Sequence, residues 1–182
     1  MNMSFLGLMR CGEVTPKTMR ADNAILRIRS VTFTSLHDQD YMPVKLEVSK
    51  TDAFRRTVTV HIGRTGHAAC AYDAVKHLLS LRADATHNDY LFIWSAGRLV
   101  MYNDFLKVIK ELVIAAGIPY PESYSGHSFR AGGATALANA GVPGHRIKLL
   151  RRWLSDAYQL YIRTPASALA ECARLMTAVA KL

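Results

Sequence analysis

The chain has 182 residues, of which half are hydrophobic and a fifth are charged. This size and composition predict one compact globular domain and argue against intrinsic disorder. The apolar runs are broken by charge or glycine well before the roughly 20 residues that a membrane span needs, so we expect no membrane protein. With 23 Lys and Arg against 14 Asp and Glu, the formal net charge is +9. That excess favours a polyanionic partner, nucleic acid first and an anionic membrane surface second, although a basic solvated surface is the plain alternative.

The cysteines and histidines do not indicate a metal site or a disulfide framework. Cys11, Cys70 and Cys172 are widely spaced, form no Cys-x-x-Cys pair and follow no secretory signal. The histidines likewise lack the spacing typical of metal ligands. We therefore expect no metal cofactor and no secretion, with the protein located in the cytosol or the nucleus.

The hydrophobic pattern predicts an α+β fold that is mostly helical. The apolar start of the chain, residues 1–9, indicates the end of a helix before Pro16. Three stretches of alternating pattern then predict a small three-stranded antiparallel sheet, at residues 30–34, 44–48 and 57–62. Helical patterns follow at residues 69–83, 102–117, 128–140, 143–152, 154–163 and 166–181. Residues 84–101 are expected to be a connector with a short strand at 91–94.

The segment Tyr124-Ser-Gly-His-Ser-Phe-Arg130 opens one of these helices and holds the first candidate site. His127 and Arg130 are three residues apart, so they share one helical face near the helix N-terminus. Backbone amides and a guanidinium there suit a phosphate group. Taken alone, an ordinary solvated helix start explains the same residues.

Three further motifs change that interpretation. The longest is Leu149-Leu-Arg-Arg-Trp-Leu-Ser-Asp-Ala-Tyr-Gln-Leu-Tyr-Ile-Arg-Thr-Pro165. The other two are Arg10-Cys-Gly-Glu13 and Ser49-Lys-Thr-Asp52. In this order they resemble the catalytic domain of tyrosine recombinases, the phage-integrase class. The resemblance is closest to the recombinases of eukaryotic retrotransposons of the DIRS and Ngaro type, and it covers nearly the whole chain.

The resemblance implies a tyrosine-recombinase catalytic fold over residues 1–182, without the family's N-terminal DNA-clamping domain. It implies an enzyme that cuts and rejoins double-stranded DNA through a covalent 3′-phosphotyrosine, with neither metal nor ATP. The implied catalytic residues are Arg10, Lys50, His127, Arg130, Trp153 and the nucleophile Tyr161. Glu13 would be a buried partner that holds the region of Arg10. Arg152 departs from the family, because a glycine is expected just before Trp153.

The chemistry accounts for these residue types. Two guanidiniums, on Arg10 and Arg130, can neutralise the charge of a pentacoordinate phosphate where a metal ion would otherwise sit. A phenol has an unperturbed pKa of about 10, so Tyr161 needs a base, for which His127 is the candidate. Lys50, in a hairpin loop, is suited to protonate the departing 5′-oxygen. Trp153 can donate its indole N–H to a phosphate oxygen.

Several alternatives stay open. Arg10 with Glu13 could be an ordinary helix ion pair, Lys50 a solvated lysine and Trp153 a core residue. Tyr158 competes with Tyr161 as nucleophile. Among proteins with the same chemistry, a type IB topoisomerase is the sister possibility. From a different class, the alternative is a non-catalytic DNA-binding relic of a mobile element.

Two surfaces are assigned to partners. Basic residues around the last helices are expected to contact phosphates that flank the cleavage point, although they could equally form a solubilising face. They are Arg146, Lys148, Arg151, Arg152 and Arg163. An apolar stripe on the C-terminal helix, including Leu169 and Val179, could close the chain's own core or dock on a neighbour. The family often exchanges such a helix, so we expect self-association on DNA.

Overall fold

The computed structural model describes residues 1–18, 25–47 and 57–152. The chain divides into two units, Met1–Arg130 and Ala131–Leu182. Within the described residues, the structure has an antiparallel sheet and helices, with most of the regular structure helical. The α+β fold class predicted from the sequence is therefore correct.

The N-terminal segment forms two short helices, α1 (Asn2–Leu6) and α2 (Cys11–Val14), where the sequence predicted the end of one helix. They are separated at Leu8, whose φ of 47° is left-handed. Leu8 is only 2% exposed, so burial of its side chain offsets the backbone cost of that conformation. Gly7 adds a close approach, because a Cβ there would lie 2.7 Å from Ile62 Cδ1.

The sheet has three antiparallel strands in the order of the chain: β1 (Thr34–Leu36), β2 (Gln39–Leu46) and β3 (Val58–Gly63). A two-residue turn joins β1 to β2 through His37 and Asp38, both with positive φ, which matches the right-handed twist of the strands. The expectation of a first strand at residues 30–34 was wrong in position. A 3₁₀ turn (Ile28–Ser30) occupies its start, and Val31 makes only an isolated bridge to Val44.

The first hydrophobic core lies against one face of the sheet. Alternate residues of β2 and β3 are buried, as a half-buried antiparallel sheet requires. Helix α3 (Ala71–Ser80) packs on this core. The core combines side chains from the N-terminal segment, the sheet, α3 and the connector that follows it. They include Met9, Leu26, Met42, Val44, Ile62, Tyr72, Val75 and Leu91.

The connector after α3 contains no strand at residues 91–94, contrary to the prediction. Ile93 and Leu99 form an isolated bridge around a tight turn, and the Trp94 N–H donates to the Arg98 carbonyl. Helices α4 (Tyr102–Ala115), α5 (Gly126–Asn139) and α6 (Gly144–Arg151) follow, close to the predicted bounds. The predicted helices at 154–163 and 166–181 lie outside the described residues.

A second hydrophobic core lies under α4. It contains Phe105, Ile109 and Val113 of α4 together with Cys11 of α2. The rings of Phe105 and Phe129 are 6.0 Å apart, so the start of α5 also belongs to this core. No helix among the described residues is both long and apolar enough to cross a membrane.

Asp104 ties the turn before α4 to the first turn of that helix. Its Oδ2 accepts hydrogen bonds from the Met101 N–H at 2.9 Å, from Arg98 Nη1 at 2.8 Å and from the Trp94 indole at 3.3 Å. The Arg98 guanidinium, with these N–H donors, lowers the pKa of Asp104 from 3.8 to about 2. The ionised carboxylate is therefore the form that the folded state prefers.

We predict an acid-sensitive contribution of Asp104 to stability. A depressed pKa stabilises the fold above the unfolded value near 3.8, and this stabilisation is lost as the pH falls through about 2. The Asp104→Asn variant should therefore be less stable at pH 7 and should lose less stability between pH 4 and pH 2. Urea unfolding at several pH values measures both effects.

The matched control is Glu111→Gln on the same helix. Glu111 pairs with Lys107 at 3.9 Å, and both side chains are largely exposed, so this change should leave the acid dependence unaltered. Identical pH curves for the Asp104→Asn protein and the unmutated protein would contradict the assignment.

Candidate active site

Arg10 and Glu13 form an ion pair at the start of α2. Glu13 is 6% exposed. Its Oε2 accepts the Arg10 backbone N–H at 2.8 Å and its Oε1 accepts Arg10 Nη1 at 3.0 Å. The carboxylate therefore caps the helix and orients the guanidinium at the same time. Glu13 is thus buried and pairs with Arg10, while the supporting role of Glu13 and the catalytic role of Arg10 stay predictions.

The first turn of α5 carries His127 and Arg130. Ser125 caps the helix, because its Oγ accepts the His127 backbone N–H at 3.3 Å while its own N–H donates to Ser128 Oγ at 3.0 Å. His127 is exposed, and Arg130 is 4% exposed. The imidazole is thus open to a substrate, whereas the guanidinium three residues later is set into the protein.

A contact between Cys11 and Gly126 brings these two segments together. The Cys11 Sγ lies 3.1 Å from the Gly126 carbonyl oxygen and donates a hydrogen bond to it. Cys11 directly follows Arg10, and Gly126 directly precedes His127. The structure therefore places Arg10 and His127 on backbone segments that touch each other.

Helix α4 contacts both segments at this junction, which is the contact between the start of α2 and the start of α5. The Tyr102 N–H at its start donates to the Pro16 carbonyl just after α2, at 2.9 Å. Phe105 packs against Phe129 of α5 within the second core, which also contains Cys11. Helix α4 therefore contacts both segments that carry candidate catalytic residues.

The sequence did not single out Cys11 and Gly126 as site residues. They are 115 positions apart, and neither local stretch contains a pattern that indicates that the two residues meet. The only available signal was their position next to Arg10 and His127. Within the described residues, no three His, Cys, Asp or Glu side chains are grouped closely enough to hold a metal ion.

The second unit holds the predicted basic residues that can be described. Helix α6 carries Arg146, which is exposed, and Lys148, which is half-buried. Arg151 is its last residue. Arg152 follows as the C-cap, with the left-handed angles φ 55° and ψ 42°.

The remaining predicted site residues fall outside the described part of the chain. Lys50 belongs to the connection between β2, which ends at Leu46, and β3, which begins at Val58. Trp153, Tyr161, Arg163 and the competing Tyr158 lie beyond α6. Their roles stay predictions.

The fold is that of tyrosine-recombinase catalytic domains, as three solved structures show. The chain is similar to the XerA recombinase, with a TM-score of 0.65, 22% identity, and coverage of 96% of this chain and 54% of that one. For the XerH site-specific recombinase bound to a palindromic difH substrate, the TM-score is 0.63 and the identity 18%, with coverage of 94% of this chain and 42% of that one. For the Tn1549 transposon integrase in complex with transposon right end DNA, the TM-score is 0.52 and the identity 17%, with coverage of 96% of this chain and 57% of that one.

The sequence itself identifies the family. Residues 19–162 match the Phage integrase family, which is well over half of the chain. The chain belongs to this family. It spans about half the length of the solved recombinases that it matches. A search of curated proteins finds no match.

The left-handed conformation of Arg152 explains why a glycine was expected at this position. Glycine reaches positive φ without steric cost, whereas a residue with a Cβ pays about 1 kcal/mol. We predict that Arg152→Gly is more stable than Arg152→Ala by about 1 kcal/mol, since both lack the arginine side chain and differ only at the Cβ. Thermal unfolding of the two variants measures the difference, and an alanine variant of equal stability would contradict it.

Proposed function

We propose that this chain is the catalytic part of a tyrosine recombinase that cleaves and rejoins double-stranded DNA. The observation that carries the proposal is the junction of α2 with α5, which sets Arg10 beside the helix start that bears His127 and Arg130. Arginines and a histidine gathered at a helix N-terminus are suited to hold a phosphodiester. Solved structures of the similar XerH recombinase and Tn1549 integrase contain DNA, which supports DNA as the substrate.

Arg10 and Arg130 act as the phosphate clamp in this proposal. A guanidinium is a planar fork, so the bond from Arg10 Nη1 to Glu13 Oε1 fixes the orientation of the whole group. Preorganised donors of this kind stabilise charge that develops in the transition state without further rearrangement. Arg130, which is 4% exposed, is held firmly by its surroundings and therefore needs little ordering when substrate binds.

The covalent step uses residues beyond the described part of the chain. The Tyr161 phenol oxygen attacks the scissile phosphorus, and His127 accepts the phenol proton. The bond from phosphorus to the 5′-oxygen breaks, and Lys50 protonates that oxygen. Trp153 donates its indole N–H to a phosphate oxygen. Attack of a 5′-hydroxyl on the 3′-phosphotyrosine reverses these transfers and frees Tyr161, so the bond energy is conserved and no ATP is consumed.

Partners and origin complete the proposal. Basic residues contact phosphates that flank the cleavage point, in keeping with the net charge of +9. They are Arg146, Lys148, Arg151, Arg152 and Arg163. Residues 166–181 mediate self-association on DNA. The resemblance of the motifs supports a recombinase of the DIRS and Ngaro retrotransposon type, which would act in the nucleus as one catalytic domain over residues 1–182.

The nucleophile decides between a recombinase and a non-catalytic relic. We predict that the unmutated protein forms a covalent adduct with a nicked suicide duplex, and that Tyr161→Phe forms none, because the ring is kept and only the attacking oxygen is lost. The matched control Tyr158→Phe should still form the adduct. Denaturing gel electrophoresis with labelled DNA measures all three.

Each result has a distinct meaning. An adduct that persists in the Tyr161→Phe protein would transfer the role of nucleophile to Tyr158 or another tyrosine. No adduct from the unmutated protein, on any suicide substrate and with or without an added clamp domain, would favour the DNA-binding relic.

The affinity for duplex DNA should fall steeply as salt is raised. Each Lys or Arg contact with a phosphate releases counterions, so the logarithm of the binding constant should fall with the logarithm of salt concentration by about 0.9 per contact. Fluorescence anisotropy between low and physiological salt measures the slope. An affinity independent of salt would contradict DNA binding by the proposed basic residues.

A further inference from the structure

Cys11 and Gly126 are in direct contact between the two segments of the candidate active site. The Cys11 Sγ is 3.1 Å from the Gly126 carbonyl oxygen. Both residues are buried, Cys11 at 6% exposure. Each is the first residue of its helix, α2 and α5 respectively. The contact therefore joins the two helices at the ends that carry Arg10 and His127.

The approach leaves no room for a side chain at position 126. A Cβ built on Gly126 would lie 2.4 Å from Cys11 Sγ, 2.8 Å from Cys11 Cβ and 3.3 Å from Tyr102 Cε2. The Cys11 Cβ is attached to the backbone of α2, so it cannot rotate away as the end of a long side chain could. Gly126 is not among the residues with positive φ. The glycine is thus required by the close approach of α2 and not by its backbone conformation.

The thiol is a suitable group for this contact because it stays neutral. Burial raises the pKa of Cys11 to about 11, so at neutral pH the group is a thiol that can donate its S–H to the carbonyl. A thiolate would repel the carbonyl oxygen. A neutral donor also adds no charge beside Arg10, which already pairs with Glu13 at 3.0 Å.

We propose that Cys11 and Gly126 are positioning residues, whose contact sets the spacing between Arg10 and His127 for phosphoryl transfer. The proposal rests on the recombinase function proposed above. Neither residue touches the reacting atoms in this account. Each acts through its neighbour, and a displacement of catalytic groups by about 1 Å can cost roughly 100-fold in rate.

Three single variants test the role of the thiol. Cys11→Ala removes the donor, and the rate of adduct formation on a suicide duplex should fall about tenfold while the Kd for DNA changes by less than about twofold. Cys11→Ser keeps a donor of similar size and should restore most of the rate. Cys70→Ala is the matched control, because Cys70 is 1% exposed and lies at the N-cap of α3. It should leave the rate unchanged even where it lowers the Tm.

A pair of variants tests the steric part. Alanine is the better helix former, so Gly126→Ala would stabilise α5 if propensity alone acted. The clash with Cys11 should instead lower the rate of adduct formation by more than Cys11→Ala does. In the double variant Cys11→Ala with Gly126→Ala, the 2.4 Å contact with Sγ is absent. Its rate should therefore exceed that of Gly126→Ala alone, the signature of two residues that act on each other.

A readout that needs no cleavage separates this inference from the proposed function. The NMR signals of the His127 imidazole should shift in Cys11→Ala, return in Cys11→Ser and stay unchanged in Cys70→Ala. This pattern without an adduct from the unmutated protein would keep the positioning contact and refute the recombinase function. Unshifted His127 signals in Cys11→Ala, or an unchanged rate of adduct formation in an active protein, would overturn the inference.

Discussion

The ion pair between Glu13 and Arg10 is the interaction on which the rest of the site depends. Helix α2 has only four residues, far fewer than an isolated helix needs to persist in water. Glu13 accepts the Arg10 backbone N–H at the start of this helix and pairs with the Arg10 guanidinium. Because Glu13 is 6% exposed, losing Arg10 would leave a buried carboxylate without this partner, which is a costly state. Both groups are therefore held in place, and so is the helix between them.

Short-range contacts connect helix α2 with helix α5. The second core packs Cys11 beneath α4, and the Phe105 and Phe129 rings connect α4 with α5. The Ser125 cap fixes where α5 begins. Arg10, His127 and Arg130 thus occupy places determined by packing and backbone hydrogen bonds, as the proposed phosphate site requires.

The helices were predictable because their signals are local. The predictions at 69–83, 102–117, 128–140 and 143–152 differ from the observed α3 to α6 by one to three residues at most ends, since glycines and apolar periodicity mark them. The N-terminal segment and β1 were not predicted correctly. Leu8 takes a left-handed conformation that only its burial explains, and Val31 gains one bridge to Val44 where the pattern favoured a full strand. In both places tertiary packing overrides the local preference.

The site shows the same division between local and distant information. His127 and Arg130 could be placed on one helical face from their spacing, and Glu13 could be paired with Arg10 three residues away. The contact of Cys11 with Gly126 spans 115 positions and has no signature in either local stretch. The two contacts at this junction also differ in kind, because Glu13 pairs with Arg10 through charge while the neutral Cys11 thiol donates to the Gly126 carbonyl. A thiolate would be repelled by that carbonyl oxygen. Burial raises the pKa of Cys11 to about 11 and keeps the thiol protonated, so the contact that joins α2 to α5 is maintained at neutral pH.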